Sequence, residues 1–327
     1  MVFSGKILRN FLEIIFMIKN LILLQTSLFL SISAGYGDTV HLNEERKPQG
    51  IKEQVDLRWN QFKSNREFRP FRAGRSDEEL NQEFENLRLT RKEVWKTPGY
   101  EIAQYLLEED HVRAPNCVAF AYNNTDPNYN ASTLQLNGRT YLASEGPRSK
   151  DVPNFFKLLE EQGVTHVVRL TDSYEGELKK CHPYWEGCLR KLSEGEGLLD
   201  IPVNQEEIRT LHAYDMAYWK DNSGIDPSLL LDQVLNVRKE IQDPKSLLLV
   251  HCSAGVGRTG TFLASIAILD AIDRNEPFSI EEITYYLSLQ RVNSVAQPPQ
   301  YVTLHRLAEI YLQRKADQKL VQNASLK

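Results

Sequence analysis

The stretch Leu247-Leu-Leu-Val250-His251-Cys252-Ser253-Ala254-Gly255-Val256-Gly257-Arg258-Thr259-Gly260 runs straight into Thr261-Phe262-Leu263-Ala264-Ser265-Ile266. An apolar run, a loop punctuated by glycines and a longer apolar segment read as buried strand, tight turn and helix. Within the turn, Arg258 follows Cys252 with only small residues and Val256 between them. Small residues let successive backbone N–H groups converge at a helix N-terminus, which makes a nest for a tetrahedral oxyanion. The planar guanidinium of Arg258 closes that nest with two donors and a permanent charge. Cys252 then sits in positive potential that favours its thiolate, the nucleophilic form. His251, just before it, is placed to help hold that thiolate. The chemistry implied is attack of sulfur on a bound phosphoryl group.

The ten residues His251–Gly260 resemble the signature loop of the cysteine-dependent, tyrosine-specific protein phosphatases. Enzymes of related chemistry that act on phosphoinositides tend to carry Lys inside this loop, where Ser253 and Val256 stand here. The resemblance extends over roughly residues 77–314. It implies one α/β domain, a twisted mixed sheet flanked by helices, with the site at the C-terminal end of the strand Leu247–Val250.

Composition fits that expectation. The chain has 327 residues, 41% hydrophobic and 25% charged, enough for one large core. A net charge of −5 argues against a nucleic-acid partner, since no excess of Lys and Arg exists to neutralise a phosphate backbone. The four cysteines, Cys117, Cys181, Cys188 and Cys252, are too few and too irregular for a disulfide framework or a zinc site. Cys181 and Cys188 either pair in an oxidising compartment or stay as free thiols. No cofactor or metal is called for.

The sequence divides into a leader at 1–37, a polar linker without fixed structure at 38–76, a catalytic domain at 77–316 and a tail at 317–327. In the leader, Lys19-Asn20 precedes an apolar core of about 14 residues from Leu21 to Ala34, then small residues, the order of a secretory signal. That core is short for a membrane span, which needs roughly 20 residues. Upstream, apolar Phe11–Ile18 is interrupted by Glu13, which makes Met17 a candidate true start. The expectation is a secreted or periplasmic protein with no span after cleavage; an uncleaved membrane anchor, or a misplaced start and a cytoplasmic chain, are the alternatives. Ser76-Asp-Glu-Glu79 forms a capping box, with Leu80, Phe84 and Leu87 at helical spacing beyond it. A second helix is expected from Thr97-Pro98. Asn137-Gly138 marks a turn between two strands, Val152–Gln162 a helix, and His166–Thr171 a further strand.

Other roles come only from the resemblance. It implies that Glu175 holds the phosphate-binding Arg258 and that Lys180 approaches the mobile acid loop. Tyr218-Trp219-Lys220-Asp221 aligns with the family's acid loop, so Asp221 is the general acid, although Lys220 replaces Pro and one extra residue precedes Gly224. Thr259 eases departure of sulfur, while Ser253, Ala254, Gly255, Val256 and Gly257 bind phosphate. Counted from Arg291, the slot of the water-positioning Gln falls on Ala296; Gln297 is one place late and Gln300 keeps register. Asn116 stands where the family carries a Tyr that stacks on the substrate ring. The function implied is protein-tyrosine phosphatase acting on a phosphorylated protein or peptide through a phosphocysteine. The alternatives are the same chemistry on broader substrates, or a phosphopeptide-binding module of low turnover.

The leader reading predicts a mature chain that begins between about Ala34 and Asp38. Intact-mass measurement of protein from the native host checks it. A full-length chain recovered from the cytosol contradicts it.

Overall fold

The computed structural model describes residues 67–97, 99–203 and 207–325, with scattered positions between 53 and 64. The expected leader lies outside the described residues. The sheet grows from β10 (Leu248–His251), the strand ahead of the cysteine. It pairs in parallel with β3 (Arg139–Ser144) on one side and with β4 (His166–Arg169) on the other. Alternation along β10 sends Leu248 and Val250 into one apolar cluster and Leu249 into another, so both faces of the sheet are covered. One cover is α3 (Val152–Glu161), through Phe155, Leu158 and Leu159. The other is α5 (Gly257–Asp273), buried nearly all round because it is apolar all round.

Beyond β3 the sheet continues antiparallel through β2 (Tyr129–Leu136) to β1 (Asn124–Asp126). Asn137 and Gly138 both take positive φ, 49° and 79°, the turn expected between β2 and β3. Beyond β4, β9 (Ile208–Asp215) is parallel, followed by antiparallel β8 (Glu196–Pro202) and β7 (Leu189–Ser193). A separate hairpin of β5 (Tyr174–Glu175) and β6 (Leu178–Lys179) stands by the site.

The capping box at Ser76 forms, with the Ser76 hydroxyl accepting from Glu79 N at 3.2 Å and Ser76 N donating to Glu79 Oε2 at 2.9 Å. It opens α1 (Asp77–Val94), which buries Leu80, Phe84 and Leu87. The second helix departs from expectation. Thr97 donates to Val94 O at 2.6 Å and so closes α1, and α2 (Gln104–Glu108) begins only after Ala103. Pro98 is outside the described residues. Helices α4 (Pro227–Glu240), α6 (Ile280–Gln290) and α7 (Pro298–Ser325) complete the α5 side. The last runs on through the expected tail, so residues 317–325 are helical.

The expected linker is corrected where the structure describes it; residues 38–52 lie outside the described residues. Val55 is fully buried, and Trp59 packs edge-on against Tyr286 with centroids 5.1 Å apart. Phe71 stacks on Phe278 at 5.1 Å, and its N–H donates to Phe278 O at 2.7 Å. Aromatic residues scattered in a polar stretch carry no periodicity, so their docking left no pattern to read.

Phe71→Ala is expected to cost about 1–3 kcal/mol, because it removes a stacked ring from the domain surface. Denaturant unfolding measures it, and an unchanged midpoint would return this segment to a passive linker.

Candidate active site

The loop between β10 and α5 turns at Gly255, whose φ is 72°. A side chain there would run into the Ser144 carbonyl and the Glu145 backbone. The loop is anchored by its carbonyls. Arg291, fully buried, donates from Nε to Gly255 O at 3.0 Å and from Nη2 to Ala254 O at 3.4 Å. Its Nη1 donates to Asn130 Oδ1 and to the Ser132 hydroxyl, both at 3.1 Å. Gly146 N takes the Ser253 carbonyl at 3.0 Å. With carbonyls held outward, N–H groups turn inward, and Gly255 N donates to Cys252 Sγ at 3.2 Å. No side chain caps α5 at Val256, and Gly257 opens the helix.

Arg258 lies in the first turn of α5 with a side chain 0% exposed. Its Nη1 donates to Glu175 Oε1 at 2.7 Å and to Trp219 O at 2.6 Å. Nε and Nη2 form no hydrogen bond among the described residues, although Nη2 lies 3.1 Å from Asp221 Oδ1 in an ion pair. Glu175 uses its second oxygen to accept from Asp221 N at 3.0 Å, so one carboxylate ties the arginine to the acid loop. Lys180 Nζ bonds Asp221 Oδ2 at 2.8 Å. Burial pushes the Asp221 carboxyl up, but Lys180 and the field of Arg258 outweigh it and hold it below the usual carboxylate range. Asp226, five residues on, is occupied as the N-cap of α4, accepting from Leu229 N at 2.8 Å.

His251 differs from expectation. It reaches the backbone carbonyl of Cys252 at 3.2 Å from Nδ1, not the sulfur, and Tyr184 OH at 2.7 Å from Nε2. A carbonyl can only accept, so Nδ1 carries the proton and Tyr184 donates to Nε2. Burial pushes the imidazole down to about 3, which keeps it neutral. The ring thus ties the Cys252 backbone to Tyr184.

Thr259 is buried beside the nest, and its hydroxyl has no hydrogen-bond partner among the described residues. The Ser253 hydroxyl turns away to Lys180 O at 2.9 Å. Gln300 is buried against the loop; its Oε1 accepts from Ala296 N at 2.9 Å and Gln297 N at 3.2 Å. A side chain at Gly257 would meet Gln300 Nε2 at 2.9 Å and Ala296 Cβ at 3.2 Å, so both flank the nest. Gln297 instead reaches the acid loop, donating to Asn222 Oδ1 at 3.2 Å. Asn116 is exposed, its carbonyl held by Asn293 Nδ2 at 2.9 Å.

Cys181 and Cys188 are free thiols. Among the described residues no group of three His, Cys, Asp or Glu side chains is arranged to hold a metal ion. The sequence reading missed Arg291, Asn130 and Tyr184. Asn130 is fully buried in β2, but that strand also carries Ser132, Thr133 and Gln135, so nothing in the sequence set this buried amide apart.

A cysteine and an arginine share one glycine-turned loop between strand and helix, under a second loop that brings a carboxylate, in a mixed α/β domain. The chain belongs to the protein-tyrosine phosphatase family, whose model matches residues 106–198 and 197–309. Mouse receptor-type tyrosine-protein phosphatase eta is 25% identical over 284 residues, 73% of this chain and 21% of that protein. Mouse tyrosine-protein phosphatase non-receptor type 4 is 31% identical over 179 residues, 49% of this chain and 19% of that one. The chain thus spans about a fifth of the length of these relatives. Among solved structures, a Trypanosoma brucei protein tyrosine phosphatase superposes with TM-score 0.63 at 24% identity, covering 72% of this chain and 92% of that one. The catalytic domain of human protein tyrosine phosphatase non-receptor type 18 gives 0.62 at 22%, covering 71% and 96%. That phosphatase has also been solved with HER2 phosphopeptides.

Gly255→Ala forces a Cβ into backbone that cannot retreat. It is expected to lower kcat/KM at least about 100-fold and stability by about 2–4 kcal/mol. Steady-state kinetics with denaturant unfolding checks this, and near-parental values would mean that the loop does not need this turn.

Proposed function

We propose that this chain is a protein-tyrosine phosphatase that hydrolyses phosphotyrosine in a protein or peptide through a phosphocysteine. The observation that carries the reading is Cys252 Sγ held at 3.2 Å by Gly255 N in the loop that Arg258 closes, with Asp221 docked on that arginine. In the first step the sulfur lone pair forms an S–P bond as the P–O ester bond breaks. Arg258 and the loop N–H groups hold the non-bridging oxygens, and Asp221 gives its proton to the leaving oxygen. A dianion that engages Arg258 removes one of the cations that keep Asp221 ionised, so substrate itself favours the protonated acid. In the second step water attacks phosphorus, its proton passes to Asp221, and phosphate leaves as the thiolate is restored. Gln300, which flanks the nest, can orient that water, since Ala296 offers no hydrogen bond; Gln297 can do so only by leaving Asn222.

A second reading, broader substrates, is favoured by Asn116. A deep aromatic slot selects phosphotyrosine over the shorter phosphoserine, and an exposed Asn in place of one wall relaxes that choice. The leader reading places the activity outside the cytosol. Substrate breadth yields to rates on phosphotyrosine peptide, phosphoserine peptide and phosphoinositide. Phosphotyrosine is expected to be turned over fastest. Binding without turnover of any of the three would make the chain a capture module.

Cys252→Ser should abolish turnover while retaining oxyanion binding. Asp221→Asn should slow a phenyl phosphate by about 10²–10⁴ and a p-nitrophenyl phosphate much less, because only a poor leaving group needs the proton. Equal slowing of both would move the acid elsewhere.

A further inference from the structure

Glu145 follows the last residue of β3 and is 2% exposed, a carboxyl group inside the protein. Its Oε2 accepts from the Arg113 backbone N–H at 2.9 Å and from Asn130 Nδ2 at 3.1 Å. The other N–H of Asn130 goes to Cys117 O at 3.0 Å. The Asn130 oxygen accepts from Ala119 N at 3.0 Å and from Arg291 Nη1 at 3.1 Å. One orientation of the amide satisfies all four contacts, and it presents oxygen to Arg291. Arg291 in turn holds the Gly255 and Ala254 carbonyls. A buried acid therefore stands one amide away from the buried cation that shapes the anion nest.

We propose that Glu145 is a positioning residue that couples oxyanion binding in the loop to uptake of a proton on its own carboxyl group. The inference rests on the reading of the loop as a phosphate site. In either charge state a Glu145 oxygen can accept from Arg113 N and Asn130, so the Asn130–Arg291 anchor stays in place. What changes is charge. The carboxylate offsets Arg291 from behind; once neutral, it leaves that positive charge uncompensated, and an anion in the nest is held more firmly. Coupling between sites is reciprocal, so an anion in the nest favours the protonated acid by the same factor.

Burial pushes the Glu145 carboxyl up to about 7, against the Arg113 N–H, the Arg113 charge, Asn130 and Arg148. The groups that face it are Arg113 and Cys117 from the segment before β1, Tyr129 on β2, Arg148 ahead of α3, Cys181 and Arg291. Burial holds the Cys117 thiol at about 11 and the Cys181 thiol at about 12, and lifts the Tyr129 phenol far above its ordinary range. The arginines stay charged. Within this cluster Glu145 is the group poised to change charge near neutrality.

Sulfate is the probe, because it does not titrate near neutral pH and needs no turnover. Calorimetric titration of sulfate into Cys252→Ser, in two buffers of different ionisation enthalpy, reads affinity and proton uptake together. Affinity is expected to rise roughly five- to ten-fold from about pH 8 to about pH 6, with net proton uptake near pH 7. In Cys252→Ser with Glu145→Gln, the neutral amide keeps the anchor, so binding stays tight, varies less across that range, and the extra uptake disappears. Asp221 faces the same anion in both proteins and cancels in the comparison. Equal uptake in the two proteins overturns the inference, as does sulfate binding lost only in the Gln variant. No proton uptake in Cys252→Ser itself also overturns it, whether or not the double variant folds. Failure of Cys252→Ser to bind sulfate at any pH would overturn the phosphate-site reading, and this inference with it.

Discussion

The backbone from Ser253 to Gly257 can turn its N–H groups inward only because its carbonyls are taken from behind. Arg291 holds two of them and Gly146 N a third. The turn then closes at Gly255, pressed against Ser144 so tightly that no side chain fits. Everything else in the site depends on this inversion. A strand and a helix N-terminus are common; a loop between them that turns its carbonyls into the protein is not stable unless buried donors meet those oxygens. Arg291 suits that task because its five donors are fixed in one plane and its charge cannot be lost by burial.

Around that loop the charges are shared out with little surplus. Glu175 gives one oxygen to Arg258 and the other to Asp221 N, so Arg258 and the loop that carries Asp221 are set by one carboxylate. Asp221 lies between Lys180 and Arg258, which keep it ionised against the pull of burial. Trp219 ties its carbonyl to Arg258 and its indole to Ser223 O, and Gln297 reaches Asn222, so the acid loop is fastened at both ends. Lys220, at the position of the family's Pro, has an exposed side chain, while its carbonyl accepts from the Ser223 hydroxyl at 2.7 Å within this loop.

What the sequence disclosed follows from how local each determinant is. Strand β10, the Gly-rich turn and α5 are adjacent in the chain, so period, small residues and helix start could be read together. The capping box at Ser76 and the Asn137-Gly138 turn are likewise decided within a few residues. The β7–β9 meander was not read, because its outer strand is exposed and shows no clean alternation. The Arg291–Asn130 anchor joins residues 161 positions apart, and only folding brings them together. His251 was given to the sulfur because it precedes it, whereas a strand residue points away from its neighbour and so met Tyr184. The 38–76 segment hid its contacts for a similar reason: Trp59 and Phe71 dock singly, with polar chain between.

The central claim is that Cys252 carries the phosphoryl group between the two steps. Acid-quenched mixing with an aryl phosphate, followed by peptide mapping by mass spectrometry, tests it directly. The account predicts one added phosphoryl group, confined to the peptide containing Cys252 and absent from Cys252→Ser. Product released in the first turnover with no phosphoryl group on that peptide, or with the label on another residue, would contradict it.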